Sequence, residues 1–194
     1  FAFVGSALPA GLRCWMTSGD HLPVVALTWC RERFPELQVV VMYGLTELAG
    51  RVCIATAAEA AQGSVGMPLP MMAVTVRDES GTILPPGRSG QVYVASPTLM
   101  AGYLDLDGGF RPTPTPFATG DIGCVEASGA VRLEGRKDDV FKCGAEKVSC
   151  QLIRERLLEL GHFADAHVFA EANDLMGKIP VAAVVMAPGA RCEP

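Results

Sequence analysis

The apolar positions of the chain change period several times, and the first change marks a sheet. Val39-Val40-Val41-Met42 is a continuous apolar run rich in β-branched residues, the pattern of a strand buried on both faces. Upstream, Leu12–Met16 reads as a short buried strand. Between the two, Leu27, Cys30 and Phe34 recur at helical spacing, while Arg31, Glu32 and Arg33 can face water. Pro23 suits the first turn of that helix, and Pro35 ends it. Strand, helix, strand over about thirty residues predicts a βαβ unit of a parallel sheet.

From about Gly63 the pattern shortens. Met72–Arg77, Gln91–Ala95, Ile122–Glu126 and Ala130–Glu134 are short strand candidates, separated by Gly, Pro, Asp and Ser as in Asp78-Glu79-Ser80-Gly81 and Pro85-Pro86-Gly87. The run Arg111-Pro112-Thr113-Pro114-Thr115-Pro116 reads as a stiff, extended surface loop. After Arg136 the pattern changes again. Ser149 can cap a helix that runs to Leu160 and stops at Gly161, with Ile153, Leu157 and Leu160 on one face and Arg154, Glu155 and Glu159 on the other. Ala166–Ala170 and Val181–Met186 are further strand candidates. The expected architecture is α/β. Residues 1–62 form a piece of a parallel sheet and 63–137 a β-rich subdomain; residues 138–194 form a small α+β domain, and both domains are expected to be incomplete.

Composition narrows the function. Of 194 residues, 49% are hydrophobic and 19% charged, a globular balance. The net charge of −5 and the lack of a Lys/Arg run argue against a nucleic-acid partner. No apolar run approaches the roughly 18–20 residues of a membrane span. The seven cysteines, Cys14, Cys30, Cys53, Cys124, Cys143, Cys150 and Cys192, form no C-x-x-C pair, and the three His offer no zinc spacing. They read as reduced, mostly buried thiols of a cytoplasmic protein. Residue 1 is Phe, so the chain is expected to come from a longer or trimmed product.

Three segments carry candidate chemistry. Tyr43-Gly44-Leu45-Thr46-Glu47 follows the run Val39–Met42 directly, and ligands of parallel sheets bind beyond the carboxyl ends of strands. Tyr43 offers a flat face for a base, Gly44 close backbone approach, and Thr46 a hydroxyl for a phosphate oxygen. Glu47 is a hard oxygen ligand of the kind Mg²⁺ takes. An ordinary loop with a solvated Glu is the competing reading. Thr119-Gly120-Asp121 and Gly135-Arg136 flank a hairpin that turns at Ala127-Ser128-Gly129, so Asp121 and Arg136 should be neighbours. A carboxylate can accept both hydroxyls of a ribose, and a guanidinium can hold a phosphate or ribose oxygen; a structural ion pair is the alternative. Gly135 to Val148 is dense in charge and Gly, which suits a solvated linker at a boundary.

Taken in order, Y-G-x-T-E, T-G-D and G-R-x-D-D followed by Lys and a Gly-containing turn resemble the adenylate-forming superfamily: acyl- and aryl-CoA synthetases, luciferases and adenylation domains of peptide synthetases. Arg13–Leu22 and Gly63-Ser64-Val65-Gly66-Met67-Pro68 also resemble family segments, so the similarity covers nearly the whole chain. The resemblance implies that Tyr43 stacks on adenine, with Gly19, Asp20 and Gly44 bordering the nucleotide. It implies that Thr46 binds phosphate, Glu47 holds Mg²⁺, Asp121 takes the ribose hydroxyls and Arg136 the ribose or α-phosphate side. Thr46 and Glu47 would be the catalytic pair. Asp138 falls at the family's hinge, Lys142 matches its nearby Lys, and the Gly144 turn resembles the loop that lines the thiol tunnel. Ser18 and Ala145 stand where Gly is usual, and Cys150 where Pro is frequent. If Ala145 needed positive φ, it would cost roughly 1 kcal/mol.

The implied activity is that of an ATP- and Mg²⁺-dependent acid–thiol ligase, which forms an acyl-AMP from a small carboxylic acid and passes the acyl group to CoA. The turn Cys143–Val148 resembles that of CoA ligases more than that of peptide synthetases. The alternatives are a carrier-loading adenylation domain, with phosphopantetheine on a carrier protein as acceptor, and a non-catalytic nucleotide-binding remnant. No Ser/Thr/Gly-rich phosphate loop with Lys is found. Gly177-Lys178-Ile179 fits the family's catalytic G-K-[IV] only superficially, because an apolar strand follows it. The chain alone is therefore expected to be inactive. A sheet with an uncovered face and edge is expected to self-associate.

Overall fold

The computed structural model describes residues 11–19, 22 and 24–190, with Val25 described by its backbone alone. Pro23, expected to open the first helix, and Asp20 lie outside the described residues. In chain order, the strands of the first half are β1 (Cys14–Ser18), β2 (Gln38–Tyr43), β3 (Cys53–Thr56), β4 (Ser64–Pro68), β5 (Ala73–Arg77), β6 (Gly90–Ala95) and β7 (Gly102–Leu104). Those of the second half are β8 (Phe110–Pro112), β9 (Phe117–Val125), β10 (Val131–Arg136), β11 (Val140–Cys143), β12 (Glu146–Ser149), β13 (Phe163–Asn173) and β14 (Gly177–Met186). The helices are α1 (Val24–Arg33), α2 (Ala57–Ala61) and α3 (Cys150–Glu159), and a 3₁₀ turn spans Thr46–Leu48. No helix among the described residues is long and apolar enough to cross a membrane.

The chain forms two compact units. Among the described residues, the first comprises those up to Ala73 with Ser96–Thr113 and Gly129–Val131; the second comprises Val74–Ala95, Pro114–Ser128 and those from Arg132 to Ala190.

In the first unit the strand order is β1-β2-β3-β4. β1 and β2 are parallel, with Cys14 opposite Gln38 and Ser18 opposite Met42, which is the expected βαβ unit. The return strand β3 is antiparallel to β2, and β4 to β3. Leu27 and Cys30 of α1 pack with Leu37, Val39, Ala55, Ala57 and Ala60, and Phe34 and Val41 flank them. The helical spacing of Leu27 and Cys30 thus serves one core. Arg31 and Arg33 in the last turn suit the helix macrodipole. α2 begins with a capping box: Thr56 N–H donates to Glu59 Oε2 at 2.7 Å, and Thr56 Oγ1 accepts from Glu59 N–H at 3.3 Å. The Thr56 N–H and the Thr56 hydroxyl, which also donates to Glu59 Oε2 at 2.8 Å, hold the Glu59 carboxyl below its usual pKa.

Two expectations need correction. The first strand is Cys14–Ser18 and is not buried: Trp15 and Met16 are exposed, because β1 ends the strand order with β2 as its one hydrogen-bonded neighbour among the described residues. Leu160, expected on the packed face of the last helix, is 60% exposed, because Glu159 closes α3 and Leu160 caps it.

In the second unit the strand order is β10-β9-β6-β5. The hairpins β11–β12 and β13–β14 are both antiparallel. Phe141, Cys150 and Val168 make a core, with Val148, Ile153, Leu157 and Ala170 against it. Ser149 caps α3 as expected, its hydroxyl accepting from Leu152 N–H at 3.3 Å and donating to Glu134 C=O at 3.1 Å. Arg154 does not face water alone: its Nε donates to Ala166 C=O at 2.7 Å and its Nη2 meets Asp165 at 2.9 Å. Among the described cysteines all are free; Cys30, Cys53, Cys124 and Cys150 are buried, and Cys14 is exposed.

Candidate functional site

In the first unit, the parallel register puts Ser18 beside Met42. Gly19 and Tyr43 are the next residues on, so both stand at the carboxyl ends of β1 and β2, where a parallel sheet binds ligands. Gly19 adopts φ 100°. Beyond Tyr43 the chain folds into a tight loop. Leu48 N–H and Gly50 N–H both donate to Leu45 C=O, at 3.0 and 2.8 Å, and Val52 N–H donates to Tyr43 C=O at 2.8 Å. Gly44 is required by this loop itself, since a Cβ there would lie 2.0 Å from Gly50 O. Leu48 is fully buried and anchors the 3₁₀ turn, which leaves Thr46 exposed and Glu47 half-buried.

Residues more than fifty positions further along the chain hold this loop. Met100 N–H donates to Glu47 C=O at 2.9 Å, and Tyr103 Oη–H donates to Glu47 Oε1 at 2.9 Å. The acceptor Glu47, together with burial, raises the Tyr103 phenol pKa. Gly102 beside an aromatic residue was the one local signal. Its Cβ would meet Arg111 O at 2.2 Å, so glycine is what lets the β7–β8 hairpin close.

In the second unit the T-G-D segment lies within β9 rather than ahead of it. β9 pairs with β6 through Gln91–Ile122 and Tyr93–Ala118, so Thr119, Gly120 and Asp121 all stand opposite Val92. This is a bulge, and bulges re-aim side chains. Gly120 supplies the left-handed backbone, φ 80°. The Thr119 hydroxyl donates to Val92 C=O at 3.1 Å and accepts from Asp121 N–H at 3.0 Å. Asp121 is 5% exposed, and Arg136 Nη1 donates to its Oδ1 at 3.1 Å. The expected adjacency of the two is present. Lys137 N–H donates to Gly120 C=O at 2.7 Å, which ties the end of β10 to the bulge.

Asp138 is exposed in the turn that follows, closed by Asp139 N–H to Arg136 C=O at 3.0 Å. The charged segment after it is no linker but the β11–β12 hairpin, because Phe141 and Val148 supply inward apolar positions. Lys142 is exposed on β11, directly opposite Lys147. At the hairpin tip Gly144 has φ 59°, and its N–H donates to Met176 C=O at 2.9 Å. The left-handed position is Gly144; Ala145 has no positive φ and carries no such strain.

Among the described residues no cluster of three or more His, Cys, Asp or Glu could hold a metal ion. Glu47 therefore fits Mg²⁺ only in the mode in which one carboxylate adds to phosphate oxygens of a nucleotide.

A parallel βαβ unit with candidate residues at its strand ends, followed by a bulged strand presenting an aspartate to an arginine, defines a chain of the adenylate-forming superfamily. The family model for AMP-binding enzymes matches residues 2–104, and the chain belongs to that family. It is 30% identical over 181 residues to the 2-succinylbenzoate–CoA ligase of Bacillus cereus (strain ATCC 10987 / NRS 248), covering 91% of this chain and 37% of that protein. The chain thus spans about 37% of the length of the curated relatives it matches. The o-succinylbenzoate CoA synthetase of Bacillus subtilis, solved with its acyl-adenylate intermediate, matches the fold with TM-score 0.81 at 24% identity, over 94% of this chain and 38% of that one. The same enzyme has been solved with ATP and magnesium, TM-score 0.80. The amide bond synthetase McbA of Marinactinospora thermotolerans matches with TM-score 0.77 at 30% identity, over 93% of this chain and 37% of that one.

Proposed function

We propose that this chain carries nucleotide-binding and hinge elements of an ATP-dependent ligase that activates a small carboxylic acid as its acyl-AMP and passes the acyl group to CoA. The observation that carries the reading is the buried Asp121, aimed by a three-residue bulge and bonded to Arg136. A structural ion pair alone does not call for a bulge with a left-handed glycine.

In this reading Tyr43 stacks on adenine, and Gly19, Asp20 and Gly44 border the nucleotide. Asp121 accepts the ribose hydroxyls, and Arg136 donates to the ribose or α-phosphate oxygens. Thr46 donates to a phosphate oxygen, and Glu47 contacts Mg²⁺, which neutralises phosphate charge when bound. An oxygen of the substrate carboxylate attacks the α-phosphorus, and the bond to the β-phosphate breaks with loss of pyrophosphate. Positioning and oriented donors carry such a step. A thiolate then attacks the acyl carbonyl and AMP leaves. Residues 1–137 act as the large domain and 138–194 as the small one, with Asp138 as hinge and Lys142 and the Gly144 turn along the thiol path. CoA is preferred to a carrier pantetheine because the curated relatives are CoA ligases.

Calorimetric titration of the chain with ATP and Mg²⁺ tests the nucleotide reading. Asp121→Asn and Tyr43→Ala are each expected to weaken binding about tenfold or more, the scale of one charge-assisted bond or one stacked base. Binding unchanged by either variant would falsify the assignment. Mixed with the part of a relative that this chain does not span, the chain should support CoA-dependent turnover; labelling of a carrier protein instead would indicate the carrier-loading activity. Self-association is expected from the exposed end strand β1 with Trp15 and Met16; a clean monomer by sedimentation at high concentration contradicts it.

A further inference from the structure

We propose that Tyr103 is a positioning residue for Glu47: its hydroxyl fixes the carboxylate so that one oxygen, Oε2, faces a divalent cation bound with a nucleotide. The inference rests on the reading of Glu47 as the magnesium contact.

Three observations separate this role from simple fastening of two loops. The backbone at Glu47 is already fastened without Tyr103: Met100 N–H donates to Glu47 C=O at 2.9 Å, Thr98 Oγ1 reaches Leu48 C=O at 3.5 Å, and Leu48 is fully buried. What Tyr103 adds is a bond to the carboxylate itself, 2.9 Å to Oε1. The phenol is also held in turn. Arg111 stands directly opposite Tyr103 in the β7–β8 hairpin, with its guanidinium 5.7 Å from the ring centroid. Asp105 grips Arg111, Oδ1 lying 2.9 Å from both Nε and Nη2. A chain of Asp105, Arg111, Tyr103 and Glu47 therefore orders one carboxylate. Outer partners of this kind set the orientation and affinity of metal-ligating groups. A Glu that only needed solvation would require none of it.

The test uses the whole chain with ATP, and Mn²⁺ as the spectroscopic stand-in for Mg²⁺, with bound Mn²⁺ read by electron paramagnetic resonance. Tyr103→Phe keeps the ring under Arg111 and removes only the hydroxyl. It is expected to weaken Mn²⁺ binding about tenfold or more, while ATP affinity in EDTA and the thermal midpoint stay at wild-type values. Arg111→Gln, which frees the ring without touching the hydroxyl, should give a smaller loss of the same sign. In the Glu47→Gln background, Tyr103→Phe should have no further effect on Mn²⁺. Wild-type Mn²⁺ affinity in Tyr103→Phe, or an equal loss with and without Glu47, would show that the hydroxyl only fastens loops. If Glu47→Gln binds Mn²⁺ and ATP as wild type does, the reading of Glu47 itself falls, and this inference with it.

Discussion

Replacing Thr119 with valine tests whether the bulge that aims Asp121 is held by one hydroxyl. Valine nearly matches threonine in shape, so packing is conserved and the hydroxyl alone is lost. Thr119 is 4% exposed, and its Oγ1 serves Val92 C=O at 3.1 Å and Asp121 N–H at 3.0 Å. Val92 is fully buried and Asp121 nearly so. A buried donor or acceptor left unmade costs about 1–3 kcal/mol, so the pair costs roughly 2–6 kcal/mol. Thr119→Ser retains both bonds and gives up one methyl, about 1 kcal/mol. Urea slopes near 1–3 kcal/mol/M convert a difference of about 3 kcal/mol into a midpoint shift of order 1 M between the two variants. Equilibrium urea unfolding, followed by circular dichroism, measures it. Because Asp121 N–H loses its acceptor, Thr119→Val should also weaken ATP binding while Thr119→Ser does not. Equal urea midpoints for the two variants would refute the argument, since the methyl and not the hydroxyl would then be what the site needs.

Gly44→Ala places a Cβ 2.0 Å from Gly50 O, so the loop must open; a loss of about 2 kcal/mol or more is expected by urea unfolding, together with weaker ATP binding. Ser149→Ala removes the cap of α3 and the donor to Glu134 C=O, and should cost about 1–2 kcal/mol on the same assay. Burial pushes the Cys53 thiol from 9.0 up to about 12. Its contribution to stability is full below the unfolded value and lost as pH rises toward the folded one, so stability should fall from pH 9.0 to about 12, less steeply in Cys53→Ala. Lys147→Glu turns the like-charge pair with Lys142 into an opposite pair and should raise stability by about 0.2–1 kcal/mol at low salt, an effect that added salt suppresses.

What could be read in advance follows from how far apart the interacting residues lie and whether a period reports them. β2 was legible because four apolar residues in a row leave few alternatives to a buried strand. The meeting of Asp121 and Arg136 was legible across fifteen positions because a hairpin returns the chain to its start. The bulge was not, although Gly120 inside a strand was its signal; the alternation of a strand fixes faces, not the register shift that sets Thr119, Gly120 and Asp121 opposite Val92. α2 also announced itself, in Thr56-Ala57-Ala58-Glu59, but five residues give too little periodicity to stand out beside β3. The charge of residues 135–148 masked β11 and β12, whose inward positions are Phe141 and Val148. The Trp15 and Met16 side chains show the converse: hydrophobic character tells that a strand can be buried, while its place in the strand order decides whether it is. The Tyr103–Glu47 contact spans 56 positions with no repeat, turn or motif linking its ends. Contacts of that kind depend on where several loops end together, so a single sequence identifies the carboxylate and leaves its orienting partner to the fold.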